Sequence, residues 1–202
     1  MELLLHTCCA PCLIYPLERL RQNGLEATGF FYNPNIHPFS EYKNRKQAIE
    51  DLKKTVDIEI VYPEYKPEEF FQAINPVRDT FLPSGCTVVS NGVNLKEKTL
   101  ERCAICWSLR LKKTAEEAKE KGFDAFTTTL LVSPYQDHEK LRKIANDITE
   151  EIGIEFYYED FRQGFRSAHE QAKKKGIYCQ KYCGCIYSMS RRFTEHEVRH
   201  KS

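Results

Sequence analysis

Long hydrophobic runs are missing from this sequence. No apolar stretch approaches the ~18 residues of a membrane-spanning helix, and Glu2 and His6 bracket the short run Leu3-Leu4-Leu5, so neither a membrane span nor a secretory leader is expected. A surplus of either charge is also lacking. With 30 basic and 29 acidic residues the net charge is +1, so a nucleic-acid surface would have to be a local patch. Neither a Walker loop nor a GxGxxG motif occurs, which leaves a nucleotide-dependent transferase without support beyond fold analogy. Low-complexity tracts and internal repeats are absent. Nine cysteines in 202 residues fall short of the ~8–10 % of a secreted disulfide scaffold. A cytoplasmic protein with reduced thiols is expected, and its length suits one domain with a real core.

The cysteines themselves are what stands out. A free cysteine is often a small buried hydrophobe, but Cys8, Cys9, Cys12, Cys86, Cys103, Cys106, Cys179, Cys183 and Cys185 fall largely in tight groups. Cys9-x-x-Cys12, Cys103-x-x-Cys106 and Cys183-x-Cys185 are spacings suited to a metal or cluster gripped from several loops. The first group directly follows Leu3-Leu4-Leu5, which reads as a buried strand, and Pro11 forces a turn there. Three sulfurs are thereby placed at the carboxyl end of a strand, where open α/β sheets bind ligands.

Along the chain, helical and strand patterns alternate. A helix is expected over 13–22 with Pro16 in its first turn, a strand over 27–32, and a helix capped by Ser40 running to about Val56. A short strand at 58–61 precedes a helix that Pro67 opens. Periodicity fails over about 75–98, an irregular excursion that contains Cys86. A helix over 100–121 would carry Cys103 and Cys106 near its positive N-terminal end, favouring their thiolates. The β-branched run at 124–132 is the clearest strand, followed by a helix over 138–152 and a strand over 154–158. A basic helix then leads to a cysteine-rich tail over about 176–202. The expected architecture is a single α/β domain over 1–202: a Rossmann-like parallel sheet with flanking helices and a cysteine-rich metal site at the C-terminal strand edge.

Five motifs then occur in order across nearly the whole chain. They are His6-Thr7-Cys8-Cys9-Ala10-Pro11-Cys12, Glu101-Arg102-Cys103-x-x-Cys106, Thr127-Thr128-Thr129-Leu130-Leu131-x-Ser133-Pro134, Asp160-Phe161-Arg162 and Tyr182-Cys183-Gly184-Cys185. Together they resemble the epoxyqueuosine reductase QueH family. The resemblance implies reduction of the epoxide of epoxyqueuosine in tRNA to queuosine, with a [4Fe–4S] cluster and an additional mononuclear iron held by cysteine and carboxylate. Under it, Cys8, Cys9, Cys103 and Cys106 are assigned to the cluster, and Cys12, Cys183, Cys185 and Asp160 to the second site. Asp160, Tyr135 and His138 are the candidate catalytic groups, the last two as proton donors. Cys179 stands where the family more often has arginine, and Cys86 lies in an excursion longer than usual, so neither is carried over as a ligand.

Removing an epoxide oxygen to leave an alkene consumes two electrons and two protons and releases water. No side chain supplies those electrons, so an electron donor of unidentified nature is a required partner besides the tRNA. Phosphate contacts are expected from Arg110, Lys112, Lys113, Lys173, Lys174, Lys175, Lys181, Arg191 and Arg192, with Tyr178 and Tyr187 as stacking candidates. The rival reading is a zinc-organised RNA-binding module without redox activity, although seven clustered sulfurs exceed one tetrahedral site. A thiol–disulfide enzyme built on Cys9-Ala10-Pro11-Cys12 would leave the other cysteines unexplained.

Overall fold

The computed structural model describes residues 1–77 and 95–190. In chain order the elements are β1 (Glu2–His6), α1 (Ala10–Gln22), β2 (Glu26–Phe30), α2 (Phe39–Lys53), β3 (Ile60–Val61), α3 (Pro67–Ile74), α4 (Leu95–Glu120), β4 (Ala125–Thr128), α5 (His138–Ile152), β5 (Glu155–Phe156) and α6 (Phe165–Lys174). Short 3-10 turns cover Asn75–Val77, Thr129–Val132 and Arg162–Gly164.

The five strands form one sheet in the order β3-β2-β1-β4-β5, and every pairing is parallel. β1 is central because Leu3, Leu4 and Leu5 are apolar on both faces and fully buried; burying each stabilises the fold by about 1.5–3 kcal/mol. Leu3 aligns with Ala27 on β2 and Ala125 on β4, and His6 aligns with Phe30 and Thr128. Strand order reverses at β1, so chain segments leaving β1 and β4 diverge to opposite faces and open a crevice between them. α1 packs against α6 and α2, and α4 against α5 and α3. The expected parallel α/β sheet is therefore present, and the ends of β1, β4 and β5 share one edge.

Several boundaries differ from the sequence expectation. α1 begins at Ala10, so Pro11 lies in its first turn and Pro16 in its interior; an interior proline removes one helical hydrogen bond, which burial of Leu13, Leu17 and Leu20 offsets. Pro38, not Ser40, occupies the N-cap of α2. The expected strand at 124–132 ends at Thr128, whose Oγ1 accepts from Leu130 N and turns the chain into a 3-10 segment. α5 matches its expected limits and is closed by Gly153 in the left-handed region, φ 73°. α4 starts at Leu95, so Cys103 sits more than two turns inside it. The helix-terminus argument for its thiolates fails there, because that field fades within the first turn. Cys86, Arg191, Arg192 and most of the 75–98 excursion lie outside the described residues. Among the described residues no helix is long and apolar enough to cross a membrane.

Candidate metal centre

Where β1 stops, His6 and Thr7 still face inward. His6 Nε2 lies 3.2 Å from Tyr32 O and Nδ1 2.9 Å from Thr128 Oγ1. A carbonyl only accepts, so Nε2 carries the hydrogen and Nδ1 accepts from the threonine. Burial, reinforced by the Arg110 charge, holds the His6 pKa down at about 3, which keeps the ring neutral.

Immediately beyond, the turn into α1 brings three sulfurs together. The Sγ atoms of Cys8, Cys9 and Cys12 all lie within 4.8 Å of one another and are buried. Among the described residues this is the sole group of three or more His, Cys, Asp or Glu ligand atoms so arranged. Cys8 and Cys9 sulfurs are 3.7 Å apart. Thr129, which follows β4, fixes Cys8 twice: its Oγ1 accepts from Cys8 N at 3.1 Å and donates to Sγ at 3.4 Å. Hydrogen bonds from Cys12, then Cys9 and Thr129, pull the Cys8 pKa well below the usual thiol value. Burial raises that of Cys9, and its bond to Cys8 raises that of Cys12. One thiolate solvated by two thiols is the expected resting state of a metal-free site.

A second sulfur group lies on α4 and the tail. Cys106 is buried in a small apolar cluster with Phe70 and Ile74 of α3, and Cys185 and Tyr187 pack against it. Burial pushes its pKa up to about 11, with Arg110, Cys183 and Cys103 within electrostatic reach. Cys183 and Cys185 sulfurs are 3.6 Å apart. The bond from Cys185 lowers Cys183 to about 5 and raises Cys185 in return. Gly184 permits this juxtaposition: its φ is 115°, and a Cβ there would lie 2.9 Å from Ile36 Cγ1 and 3.3 Å from Arg45 Nη1.

Two buried arginines join the groups. Arg45 of α2 donates through Nη2 to Tyr182 O at 2.9 Å, through Nη1 to Cys183 O at 3.1 Å, and through Nε to Glu41 at 2.8 Å. Burial opposes its charge, but Cys9 and Glu41 outweigh that, and its pKa is raised. Arg110, one helical turn beyond Cys106, donates to Cys106 O at 3.0 Å. Gln180 Nε2 reaches Cys12 Sγ at 3.6 Å, tying the tail to the first group, while its Oε1 is buried without a partner.

The geometry thus unites Cys12 with Cys8 and Cys9, whereas the sequence reading set it with Cys183 and Cys185; Cys106 meets that tail pair, while Cys103 packs against the main core. Asp160 is half-exposed, and its carboxylate is held bidentately by Arg162, which lowers its pKa to about 2. His138 Nδ1 is 4.0 Å from Asp160 Oδ1 and 3.4 Å from Tyr158 OH. Tyr135, 83 % exposed, stands edge-on to Phe165. Tyr135 and Asp160 therefore occupy the segments that follow β4 and β5, and His138 opens α5 between them.

The expected basic surface is divided. Arg110 is buried beside the thiols and is no surface contact. Lys112 is paired with Glu151, Lys113 with Glu116 at 4.0 Å, and Lys175 donates to Thr55 at 2.9 Å. Lys173 and Lys174 end α6, and Lys181 is exposed. Arg45, Thr129 and Gln180 were not anticipated. The signal for Arg45 was available: it shares a helical face with Tyr42, Ile49 and Leu52, all buried.

A parallel α/β sheet with a buried cysteine triad at the carboxyl end of its central strand defines an α/β protein with a site that could hold a metal ion. The solved structure of a predicted tRNA methyltransferase subunit from Methanocaldococcus jannaschii is similar in fold, with a TM-score of 0.51, 9 % identity, and coverage of 86 % of this chain and 76 % of that one. The family model described as epoxyqueuosine reductase QueH matches residues 3–191, and the chain belongs to that family. Its relatives include the epoxyqueuosine reductase QueH of Thermotoga maritima, 35 % identical over 96 % of this chain and 93 % of the relative. That of Dehalococcoides mccartyi is 32 % identical over 95 % and 94 %.

Proposed function

We propose that this chain reduces epoxyqueuosine in tRNA to queuosine, using iron held by its clustered thiols. Family membership supports the overall activity. The observation that carries the chemistry is the buried triad Cys8, Cys9 and Cys12, together with a second thiol group in which Cys183 and Cys185 are in contact and Cys106 lies within electrostatic reach of Cys103 and Cys183. The donor set fits: seven sulfurs exceed one tetrahedral ion and suffice for a [4Fe–4S] cluster plus a second metal, with Asp160 as the carboxylate candidate. Such a group would supply electrons at low potential and polarise the epoxide oxygen.

The chain's own residues do the rest. Arg45 and Arg110 offset the negative charge of the thiolates in a buried setting. Phe70 and Ile74 exclude water from the Cys106 side. His138, Tyr135 and Asp160 are the proton-handling candidates for the departing oxygen, and the exposed lysines Lys112, Lys113, Lys173, Lys174 and Lys181 are the phosphate-binding candidates.

The test is anaerobic purification with iron, sulfide and zinc analysis, followed by nucleoside analysis of epoxyqueuosine-containing tRNA after incubation with a chemical reductant. Iron with acid-labile sulfide, and conversion to queuosine, are expected. A second reading, structural zinc, draws on the sulfur separations: two ligands ~2.3 Å from one tetrahedral ion are about 3.8 Å apart, close to the 3.7 Å and 3.6 Å found here. Zinc alone, without sulfide or turnover, would establish that reading instead.

A further inference from the structure

Six large apolar side chains are conspicuously exposed among the described residues: Met1, Phe39, Phe71, Tyr135, Tyr178 and Ile186. Four of them surround the Cys183-Gly184-Cys185 loop. Ile186 directly follows it, and Tyr178 OH donates to Glu41, the partner of Arg45, which itself holds Cys183 O. Phe71 stacks on His37, with ring centres 4.8 Å apart and planes 26° apart, and His37 N donates to Gly184 O at 2.8 Å. Phe39 opens α2 two residues beyond His37. An apolar fringe around a polar thiol site is out of keeping with a surface that faces only water.

The rings are also prepared for a flat partner. Phe39 lies nearly parallel to Tyr42, at 12° and 6.1 Å, and to Tyr65, at 28° and 5.5 Å, yet remains 56 % exposed. Its plane is thus set by two neighbouring rings while more than half of the side chain stays exposed. Lys43 Nζ lies over the Phe39 ring, 5.6 Å from its centre, on a long side chain that an incoming base can displace toward the phosphates, and Lys46 lies 4.6 Å over the neighbouring Tyr62 ring. Phe71 is 38 % exposed on its stacked His37. Rigid, exposed aromatic planes flanked by cations are what unpaired nucleobases stack upon.

Resting on the reading of the chain as a tRNA epoxyqueuosine reductase, we propose that Phe39 and Phe71 form a stacking platform for the unpaired bases next to the modified nucleoside. A nucleoside brought to buried sulfurs must leave its stack, and its neighbours then lose a partner that these rings replace. Stacking is indifferent to base identity, so the platform would grip the strand while the thiol site selects the modified nucleoside.

The test compares wild type with Phe39→Ala, Phe71→Ala, Phe39→Leu and Phe39→Trp, measuring binding of epoxyqueuosine-containing tRNA and the steady-state constants. Each alanine variant should bind tRNA about 10-fold more weakly, with the loss falling on KM more than kcat. Trp at position 39 should restore binding and Leu should not, since both are apolar but only Trp is flat. Iron content and thermal midpoint, read on the same samples, report on folding. Alanine variants that bind as tightly as a wild type that turns over normally would overturn the platform alone, as would Leu performing as well as Trp. A wild type that neither binds nor reduces the tRNA would overturn the platform and the reductase reading together.

Discussion

Replacing Arg45 by Met would remove the group that fastens the cysteine-rich tail to the sheet edge. The guanidinium makes three charge-assisted hydrogen bonds, to Glu41 and to the carbonyls of Tyr182 and Cys183, and its side chain is 2 % exposed. Met fills similar volume but satisfies none of them. Glu41 would keep only the bond from Tyr178 OH at 2.6 Å while remaining buried. Removing one partner of a buried ion pair costs about 3–5 kcal/mol, a large share of the ~5–15 kcal/mol that holds a domain folded. Urea unfolding of the metal-free protein under reducing conditions would measure the loss. Arg45→Met combined with Glu41→Gln should be more stable than Arg45→Met alone, because the stranded carboxylate is then neutral. Trypsin cleavage after the exposed Lys181 should accelerate in Arg45→Met, since the next two carbonyls are freed. A variant within about 1 kcal/mol of wild type, with unchanged cleavage at Lys181, would refute the account of Arg45 as the tail's anchor.

The Gly184→Ala protein should lose roughly 1–3 kcal/mol, since its φ of 115° and the 2.9 Å approach to Ile36 leave no room for a Cβ; equal urea midpoints would contradict this. Cys12→Ala should lower bound metal per chain, whereas Cys179→Ala, whose thiol only donates to Ile177 O at 3.5 Å, should not; metal analysis giving the reverse order would remove Cys12 from the ligand set. Stability of the metal-free protein should fall as pH drops from 6.5 toward about 3, because the unfolded chain takes up a proton on His6 that the buried ring refuses until about 3. That contribution is complete above 6.5, and His6→Gln should flatten the slope within the window; an unchanged slope would assign the acid sensitivity to other groups.

Much of the site could be read from the chain. Leu3-Leu4-Leu5 followed closely by three cysteines and Pro11 placed sulfurs at a strand end, because an apolar run that short is a buried strand and a proline cannot continue its ladder. The limits of α3 and α5 were legible for a similar reason, being set by local signals: Pro67 at N1, and Gly153 at the C-cap. The start of α4 was missed although Asn94 with Glu97 three residues on is a cap signal, because it directly follows a glycine- and proline-containing stretch in which the periodicity fails. So was the end of β4, where a threonine hydroxyl captures Leu130 N and diverts a run that β-propensity alone would have continued.

The sequence by itself determined the parallel α/β class, the placing of the first cysteine group at the end of β1 and the family, because periodicity and motif spacing are local properties that survive without coordinates. Only the tertiary structure decided which sulfurs meet. Cys12 joins Cys8 and Cys9 because the first turn of α1 curls back over the end of β1, and Cys106 meets the tail cysteines because Arg45, far away in sequence, captures the carbonyls of Tyr182 and Cys183. Burial of Arg110, which a charge count assigns to the surface, follows from the same convergence: a guanidinium is tolerated inside where carbonyls and thiolates surround it.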